Sequence, residues 1–191
     1  MNIILASNSP RRKELLAGLE MPFEVRVLDG IDEHYPDTLQ GEEIPIYISA
    51  QKAKAYLPTL TDDELLITAD TVVMLEGRVL GKPHDCEEAI QMLSDLSGKT
   101  HEVITGVTLA SRDHFKSFAS VSRVTFASLD MNDILHYVDH YRPFDKAGAY
   151  GIQEWIGFIG VTRIEGSYFN VMGLPVQRLY EELRLLKLLN P

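Results

Sequence analysis

Residues 65–75 read Leu-Leu-Ile-Thr-Ala-Asp-Thr-Val-Val-Met-Leu, an apolar run that contains a single carboxylate, Asp70. Residues 65–69 have the length and composition of a buried strand that ends at Asp70, and residues 71–75 continue extended. The carboxyl ends of strands are where open α/β sheets bind ligands, so Asp70 is a candidate to hold a divalent ion or to activate water as a general base. The alternative is a turn or N-cap aspartate. This alternative is disfavoured because residues 71–75 continue as strand, so no helix follows that Asp70 could cap.

Predicted strands and helices alternate on both sides of this stretch. Strands are predicted over residues 2–6, 23–28, 78–80, 101–110, 115–128 and 158–164, and helices over 10–19, 46–56, 85–96, 130–141 and from 176 onward. Units of βαβ type alternate with hairpins, which predicts an α/β fold with a mixed sheet. The length of 191 residues predicts a single domain over residues 1–191, with room for two lobes.

Charge and cysteine content exclude several classes of protein. The chain has 18 Lys and Arg against 28 Asp and Glu, a net charge of −10, which disfavours nucleic acid and anionic membranes as partners. Cys86 is the only cysteine, so disulfide frameworks and cysteine zinc sites are excluded. No run of eighteen apolar residues and no secretory signal is seen. We therefore expect a cytoplasmic protein.

Basic residues cluster at the start of the first predicted helix. Residues 9–13 read Ser-Pro-Arg-Arg-Lys, which puts three cations at the positive end of the helix dipole. A phosphate bound there would neutralise Arg11 and Arg12. A solvated basic turn is the alternative. Lys52, Lys82 and Lys146 lie beside small or special residues, and each alone is typical of solvated surface. Together with the arginines they would form a cationic pocket for a polyphosphate.

Two further segments carry candidate ligand groups. Residues 145–153 read Asp-Lys-Ala-Gly-Ala-Tyr-Gly-Ile-Gln, in which small residues allow close approach and Gln153 offers a donor and an acceptor for a base edge. A glycine-containing turn is the alternative.

The acidic segment around Asp32 and Glu33 offers oxygen ligands for Mg²⁺, or is a solvated loop. His136 and His140 lack the glutamate of a zincin helix, which favours ordinary helix surface.

These motifs together resemble the Maf family of nucleoside triphosphate pyrophosphatases over nearly the whole chain. The resemblance rests on residues 5–12, 52–53, 69–73, 81–83, 97–101 and 145–153, and the last segment resembles the subgroup that acts on dTTP and UTP. It implies a two-lobed α/β fold with a mixed sheet flanked by helices and a central cleft, similar to the inosine-triphosphate pyrophosphatases. The implied reaction cleaves the α–β phosphoanhydride to a nucleoside monophosphate and pyrophosphate.

The resemblance also implies residue roles. Asp70 would be the general base, Glu33 and Asp70 would bind Mg²⁺ or Mn²⁺, and the triphosphate would be held by Ser7, Ser9, Arg11, Arg12, Lys52 and Lys82. Arg12, Thr71 and Gln153 match positions associated with base selectivity. The expected partner is a small-molecule nucleoside triphosphate, with neither nucleic acid nor membrane, and a homodimer is left open.

Two other functions compete with the enzyme. A nucleotide-binding regulator of cell division would have the pocket but little catalysis. The intact Asp70 favours the enzyme, since a pure binder does not need a carboxylate facing phosphates. A nucleic-acid-binding protein is disfavoured by the net charge of −10.

Overall fold

The computed structural model describes residues 1–186. Its strands are β1 (Asn2–Leu5), β2 (Phe23–Val25), β3 (Glu64–Leu75), β4 (Arg78–Leu80), β5 (Thr100–Ala110), β6 (Phe115–Phe126) and β7 (Val161–Glu165). Its α-helices are α1 (Pro10–Ala17), α2 (Glu43–Tyr56), α3 (Cys86–Leu96), α4 (Met131–Tyr141), α5 (Trp155–Gly160), α6 (Tyr168–Met172) and α7 (Val176–Leu185). Short 3-10 turns cover Leu57–Thr59 and Ala147–Ala149.

Within the described residues the seven strands form one mixed sheet flanked by helices, which confirms the predicted fold class. The strand order is β2-β1-β3-β5-β6-β7, and β4 pairs with β3. The pairs β1–β2 and β1–β3 are parallel, whereas β3–β4 and β6–β7 are antiparallel. None of the helices found in residues 1–186 is long and apolar enough to cross a bilayer.

The chain divides into two compact units, in agreement with the two lobes that the resemblance implies. Unit 1 comprises Met1–Asp70, Thr105–Ser120 and the segment from Gly173 onward, and unit 2 comprises Thr71–Ile104 and Val121–Met172. Strands β3, β5 and β6 each contribute residues to both units. The central cleft and the single-domain assignment stay predictions.

Unit 1 is built on the parallel pairing of β1 with β3. Leu5 lies opposite Ile67 in this register, and both side chains are fully buried. Ile4, Leu66 and Tyr56 belong to one cluster of buried side chains on which α2 packs. The amino end of the chain is thereby fixed alongside the strand that contains Asp70.

Unit 2 confirms two helix starts that the sequence predicts. The Asp85 side chain accepts a hydrogen bond from the backbone N–H of Glu88 at 2.9 Å, and α3 begins at the next residue. Asp130 caps α4 in the same manner, accepting from the N–H of Asn132 at 2.8 Å. These carboxylates satisfy backbone donors that the first turn of a helix leaves unpaired.

The strand predicted over residues 158–164 is confirmed for residues 161–164 and wrong for residues 158–160. Trp155–Gly160 is helix α5, and β7 begins only at Val161. A Cβ on Gly157 would lie 1.9 Å from the carbonyl oxygen of Ile152, so the glycine allows the helix to pack against the preceding turn. A short apolar run is compatible with either structure in the sequence alone. The short helix α6 is a further element that the sequence did not predict.

Candidate active site

Asp70 lies in the middle of a continuous twelve-residue strand rather than in a turn or at a helix start. Its side chain is only 14% exposed. The chain that leaves β1 remains beside this strand, because the N–H of Ala6 donates to the carbonyl of Ile67 at 2.9 Å. The parallel pairing of β1 and β3 therefore brings the start of α1 toward the strand of Asp70.

The two serines before α1 shape its amino end. Ser9 is the N-cap, and its Oγ accepts from the N–H of Arg12 at 3.4 Å, while Pro10 occupies the first helical position. Ser7 is buried, and its Oγ accepts from the N–H of Ser9 at 3.2 Å. Both hydroxyls thus fix the loop that carries the basic turn.

Arg12 is held by backbone carbonyls and is not a solvated turn residue. Its Nε donates to the carbonyl of Gly173 at 2.8 Å, and its Nη1 donates to the carbonyl of Ala69 at 2.9 Å. Burial lowers the pKa of its guanidinium, Asp70 and Glu33 act to raise that pKa, and Arg11 acts to lower it. Arg12 therefore lies within electrostatic reach of both carboxylates and of its cationic neighbour.

Helix α2 brings Lys52 to the same place. The hydroxyl of Thr68, two residues before Asp70, donates to the carbonyl of Ser49 at 2.7 Å and ties the helix to β3. A Cβ on Gly106 of β5 would lie 2.3 Å from the backbone of Pro45, so only glycine allows this close approach. Lys52 is one helical turn beyond Ser49 and shares its face.

The Lys52 ammonium contacts two carboxylates. Its Nζ lies 2.8 Å from Oδ1 of Asp70 and 2.9 Å from Oε1 of Glu33, and its side chain is 14% exposed. Glu33 lies on the loop after β2. The N–H of Leu28, near the beginning of this loop, donates to the hydroxyl oxygen of Tyr56 at 2.7 Å and holds the loop in place. Unit 1 thus brings together Glu33, Lys52 and Asp70, with Arg12 beside them.

In unit 2 the remaining candidates lie on neighbouring segments. The N–H of Gly148 donates to the carbonyl of Gly81 at 3.0 Å, which joins residues 145–153 to the loop of Lys82. Gly148 has φ +69°, and a Cβ there would lie 3.0 Å from the side chain of Val73, two residues after Thr71. Lys82 is exposed and Gln153 is partly exposed. The three segments that carry Thr71, Lys82 and Gln153 therefore meet.

Lys146 contradicts the prediction of a solvated surface lysine. Its side chain is only 9% exposed, and its Nζ lies 2.7 Å from Oδ1 of Asp145 and 3.1 Å from Oε1 of Glu154. The opposite oxygen of Glu154 accepts from the hydroxyl of buried Tyr137. The sequence did not point to Glu154, although it directly follows Gln153, and gave no signal at all for Tyr137.

The sequence matches the family described as Maf-like protein over residues 2–186. The chain belongs to the Maf family. A curated relative from Phocaeicola vulgatus is 64% identical, and one from Bacteroides fragilis is 61% identical; each match covers 96% of this chain and 95% of the relative. Both relatives are named dTTP/UTP pyrophosphatase. A solved structure of the Staphylococcus aureus Ham1 protein is 19% identical over 96% of this chain and 98% of that chain, with a TM-score of 0.48.

The two carboxylates of the site, Glu33 and Asp70, could bind a divalent cation such as Mg²⁺ only if substrate phosphates supplied further oxygen ligands. Residues 1–186 contain no group of three or more His, Cys, Asp or Glu side chains arranged to hold a metal ion. Glu33 and Asp70 are two carboxylates that already share one cation, the Lys52 ammonium. Mg²⁺ is commonly bound by one or two carboxylates plus substrate phosphates, which matches this pair. His136 and His140 lie on the exposed surface of α4, with their rings tilted by 31° and the ring centroids 4.1 Å apart.

Proposed function

We propose that this Maf protein is a nucleoside triphosphate pyrophosphatase that hydrolyses dTTP and UTP to the nucleoside monophosphate and pyrophosphate. The observation that carries the proposal is the Lys52 ammonium held between Glu33 and Asp70, with Arg12 beside them. Cations that neutralise phosphates and a carboxylate that accepts a proton from water are the groups that this hydrolysis needs. The names of the relatives, which are 53–64% identical, supply the choice of substrate.

Triphosphate binding falls to the basic groups. Arg11, Arg12, Lys52 and Lys82 would neutralise the phosphates, and the loop fixed by Ser7 and Ser9 would offer the N–H groups at the start of α1. Lys52 has a double role in this scheme. It is the counterion of Asp70 in the free protein, and it turns to the phosphates when the triphosphate enters.

Asp70 would act as the general base. A water molecule attacks the α phosphorus atom and gives its proton to the carboxylate of Asp70. The bond from phosphorus to the bridging oxygen breaks, and that oxygen leaves with pyrophosphate. Movement of Lys52 to the phosphates would free the carboxylate of Asp70 to contact the attacking water, so binding of the triphosphate and placement of the base would be coupled.

A divalent cation belongs to the proposal, with Glu33 and Asp70 as its protein ligands. When bound, Mg²⁺ or Mn²⁺ would neutralise charge that develops on the phosphate oxygens. Glu33 lies on an exposed loop, so this carboxylate has room to turn toward an arriving cation while Lys52 turns toward the phosphates.

Base selection would depend on Arg12, Thr71 and Gln153. The pairing edge of uracil presents an acceptor, a donor and an acceptor, and the amide of Gln153 matches part of that pattern with its NH₂ and its carbonyl. A site that hydrogen-bonds one edge rejects other edges, because buried polar groups are then left unpaired. ATP and GTP should therefore be poor substrates.

A nucleotide panel with pyrophosphate detection tests the proposal. We expect the wild-type protein to release pyrophosphate from UTP and dTTP far faster than from ATP and GTP, and to stop when EDTA removes divalent ions. Gln153→Ala should reduce the UTP-to-ATP ratio of kcat/KM by about 10- to 100-fold. The control is Gln91→Ala, an exposed glutamine on α3 in the same unit, which should leave the ratio unchanged. Nucleotide binding without pyrophosphate release would instead favour a regulator with little catalysis.

A further inference from the structure

The residue proposed to read the base lies in a closed turn. The N–H of Glu154 donates to the carbonyl of Gly151 at 3.0 Å, so Ile152 and Gln153 are the two central residues of a four-residue turn, the 151–154 turn. Ile152 is 7% exposed and belongs to the core of unit 2, whereas Gln153 is partly exposed. The turn therefore anchors one central side chain and presents the other.

One buried hydroxyl ties both ends of this turn. The N–H of Gly151 donates to the hydroxyl oxygen of Tyr137 at 3.0 Å, and the same hydroxyl donates to Oε2 of Glu154. A Cβ on Gly151 would lie 2.8 Å from the carboxyl carbon of Glu154, so the carboxylate lies directly over the glycine. Burial, together with the neighbouring Glu154, raises the pKa of Tyr137 and keeps the hydroxyl protonated as a donor.

The second carboxylate oxygen of Glu154 is also bound. The Lys146 ammonium lies 3.1 Å from Oε1 of Glu154 in an ion pair and donates a hydrogen bond to Oδ1 of Asp145 at 2.7 Å. Lys146 and Tyr137 are both buried, so each needs polar partners within the protein, and Glu154 is a partner of both. A buried polar network with satisfied members restricts its segment to one arrangement.

We propose that Tyr137, Glu154 and Lys146 are positioning residues for nucleobase recognition, which act by fixing the 151–154 turn that presents Gln153. The inference rests on the proposed function and names what holds its base-reading residue in place. Tyr137 has no exposed surface and cannot contact a nucleotide itself. Selectivity by hydrogen bonding requires the amide to be held within about 0.5 Å of its productive position, which a turn released at both ends would not achieve.

Tyr137→Phe tests this inference, because it removes the hydroxyl and keeps the ring. We expect the UTP-to-ATP ratio of kcat/KM to fall about 10-fold, which is the size of effect expected when the hydrogen bonds of one hydroxyl are lost. In a Gln153→Ala background the same substitution should leave the ratio unchanged, since its effect passes through Gln153. The matched control is Tyr141→Phe, the same change four residues along α4, where the ring stacks on Tyr137 and the residue is exposed.

Each outcome is decisive. A merely structural network would lower the amount of folded protein and reduce kcat/KM for both nucleotides equally, so an unchanged ratio in Tyr137→Phe overturns the inference. If Tyr137→Phe does not fold, Glu154→Gln, which keeps the size of the side chain, is measured in the same way with the same criterion. Wild-type protein that shows no preference for UTP contradicts the proposed function. A preference that is lost in Gln153→Ala but kept in the network variants contradicts the network alone.

Discussion

Asp70→Asn separates binding from catalysis in the proposed active site. The substitution keeps the shape of the side chain and an oxygen acceptor, but it removes the negative charge and the ability to take a proton from water. Loss of a general base lowers kcat about 10²- to 10⁴-fold, and a lost ligand to a divalent ion would lower it further. The triphosphate should still bind, because the groups that neutralise it are unchanged.

The contacts of Asp70 also set the expected cost in stability. Lys52 lies 2.8 Å from Asp70 and 2.9 Å from Glu33, so the asparagine variant leaves the ammonium with one carboxylate partner. The main change is an ion pair replaced by a hydrogen bond from the ammonium to a neutral amide oxygen, which costs about 1–1.5 kcal/mol in the free energy of unfolding. A complete loss of the buried partner would cost more, about 3–5 kcal/mol. Asp70→Asn should therefore remain folded.

The assay combines pyrophosphate release from UTP with equilibrium binding of a UTP analogue that has a methylene bridge between the α and β phosphorus atoms. Asp63→Asn is the control, because Asp63 is an exposed carboxylate of the same unit that accepts from the side chain of Asn2. It should turn over at the wild-type rate. Near-normal turnover in Asp70→Asn, with binding intact, would remove Asp70 from the mechanism and refute the reasoning.

Two further predictions concern the basic turn and acid stability. Arg12→Ala should raise KM and lower kcat for UTP. It should also reduce the free energy of unfolding by about 1–3 kcal/mol, because the carbonyls of Ala69 and Gly173 lose their donors. Unchanged kinetics alongside reduced stability would make Arg12 purely structural. Burial lowers the pKa of His101 to about 4, so the unfolded chain takes up its proton first and stability falls as the pH drops from about 6.5 to about 4. The measurement is the free energy of unfolding, from urea denaturation, at a series of pH values. His101→Gln should make this free energy depend less on pH between about 6.5 and about 4. An equal slope in the wild-type and variant proteins would count against a neutral buried imidazole.

Local signals in the sequence were sufficient for much of the fold. Asp85 and Asp130 each start a helix because a short carboxylate bonds the N–H groups of the first turn, an interaction within three residues. The extended chain after Asp70 was predictable for a similar reason, since β-branched residues follow it, but the prediction that the strand ends at Asp70 is wrong, because β3 runs without a break from Glu64 to Leu75. Such features depend on neighbours in the sequence.

What the sequence missed depends on contacts between distant residues. Residues 155–160 form a helix in which Gly157 packs on the carbonyl of Ile152, and an apolar run alone does not reveal that contact. Lys146 is buried because Glu154 and Asp145 surround its ammonium, whereas a lysine beside small residues is usually solvated. The contact of Tyr137 with Glu154 spans 17 residues and carries no local pattern.

The 151–154 turn also bears on how the selectivity of a Maf protein can change over evolution. Ile152 contributes to the core of unit 2, whereas its neighbour Gln153 is partly exposed. In the proposed scheme, folding and base recognition depend on adjacent residues, one peptide bond apart. Under that scheme we expect substitutions at position 153 to alter the preferred nucleobase at little cost in stability, so that new selectivities are reachable by single mutations. The surrounding network, in contrast, constrains the positions on either side.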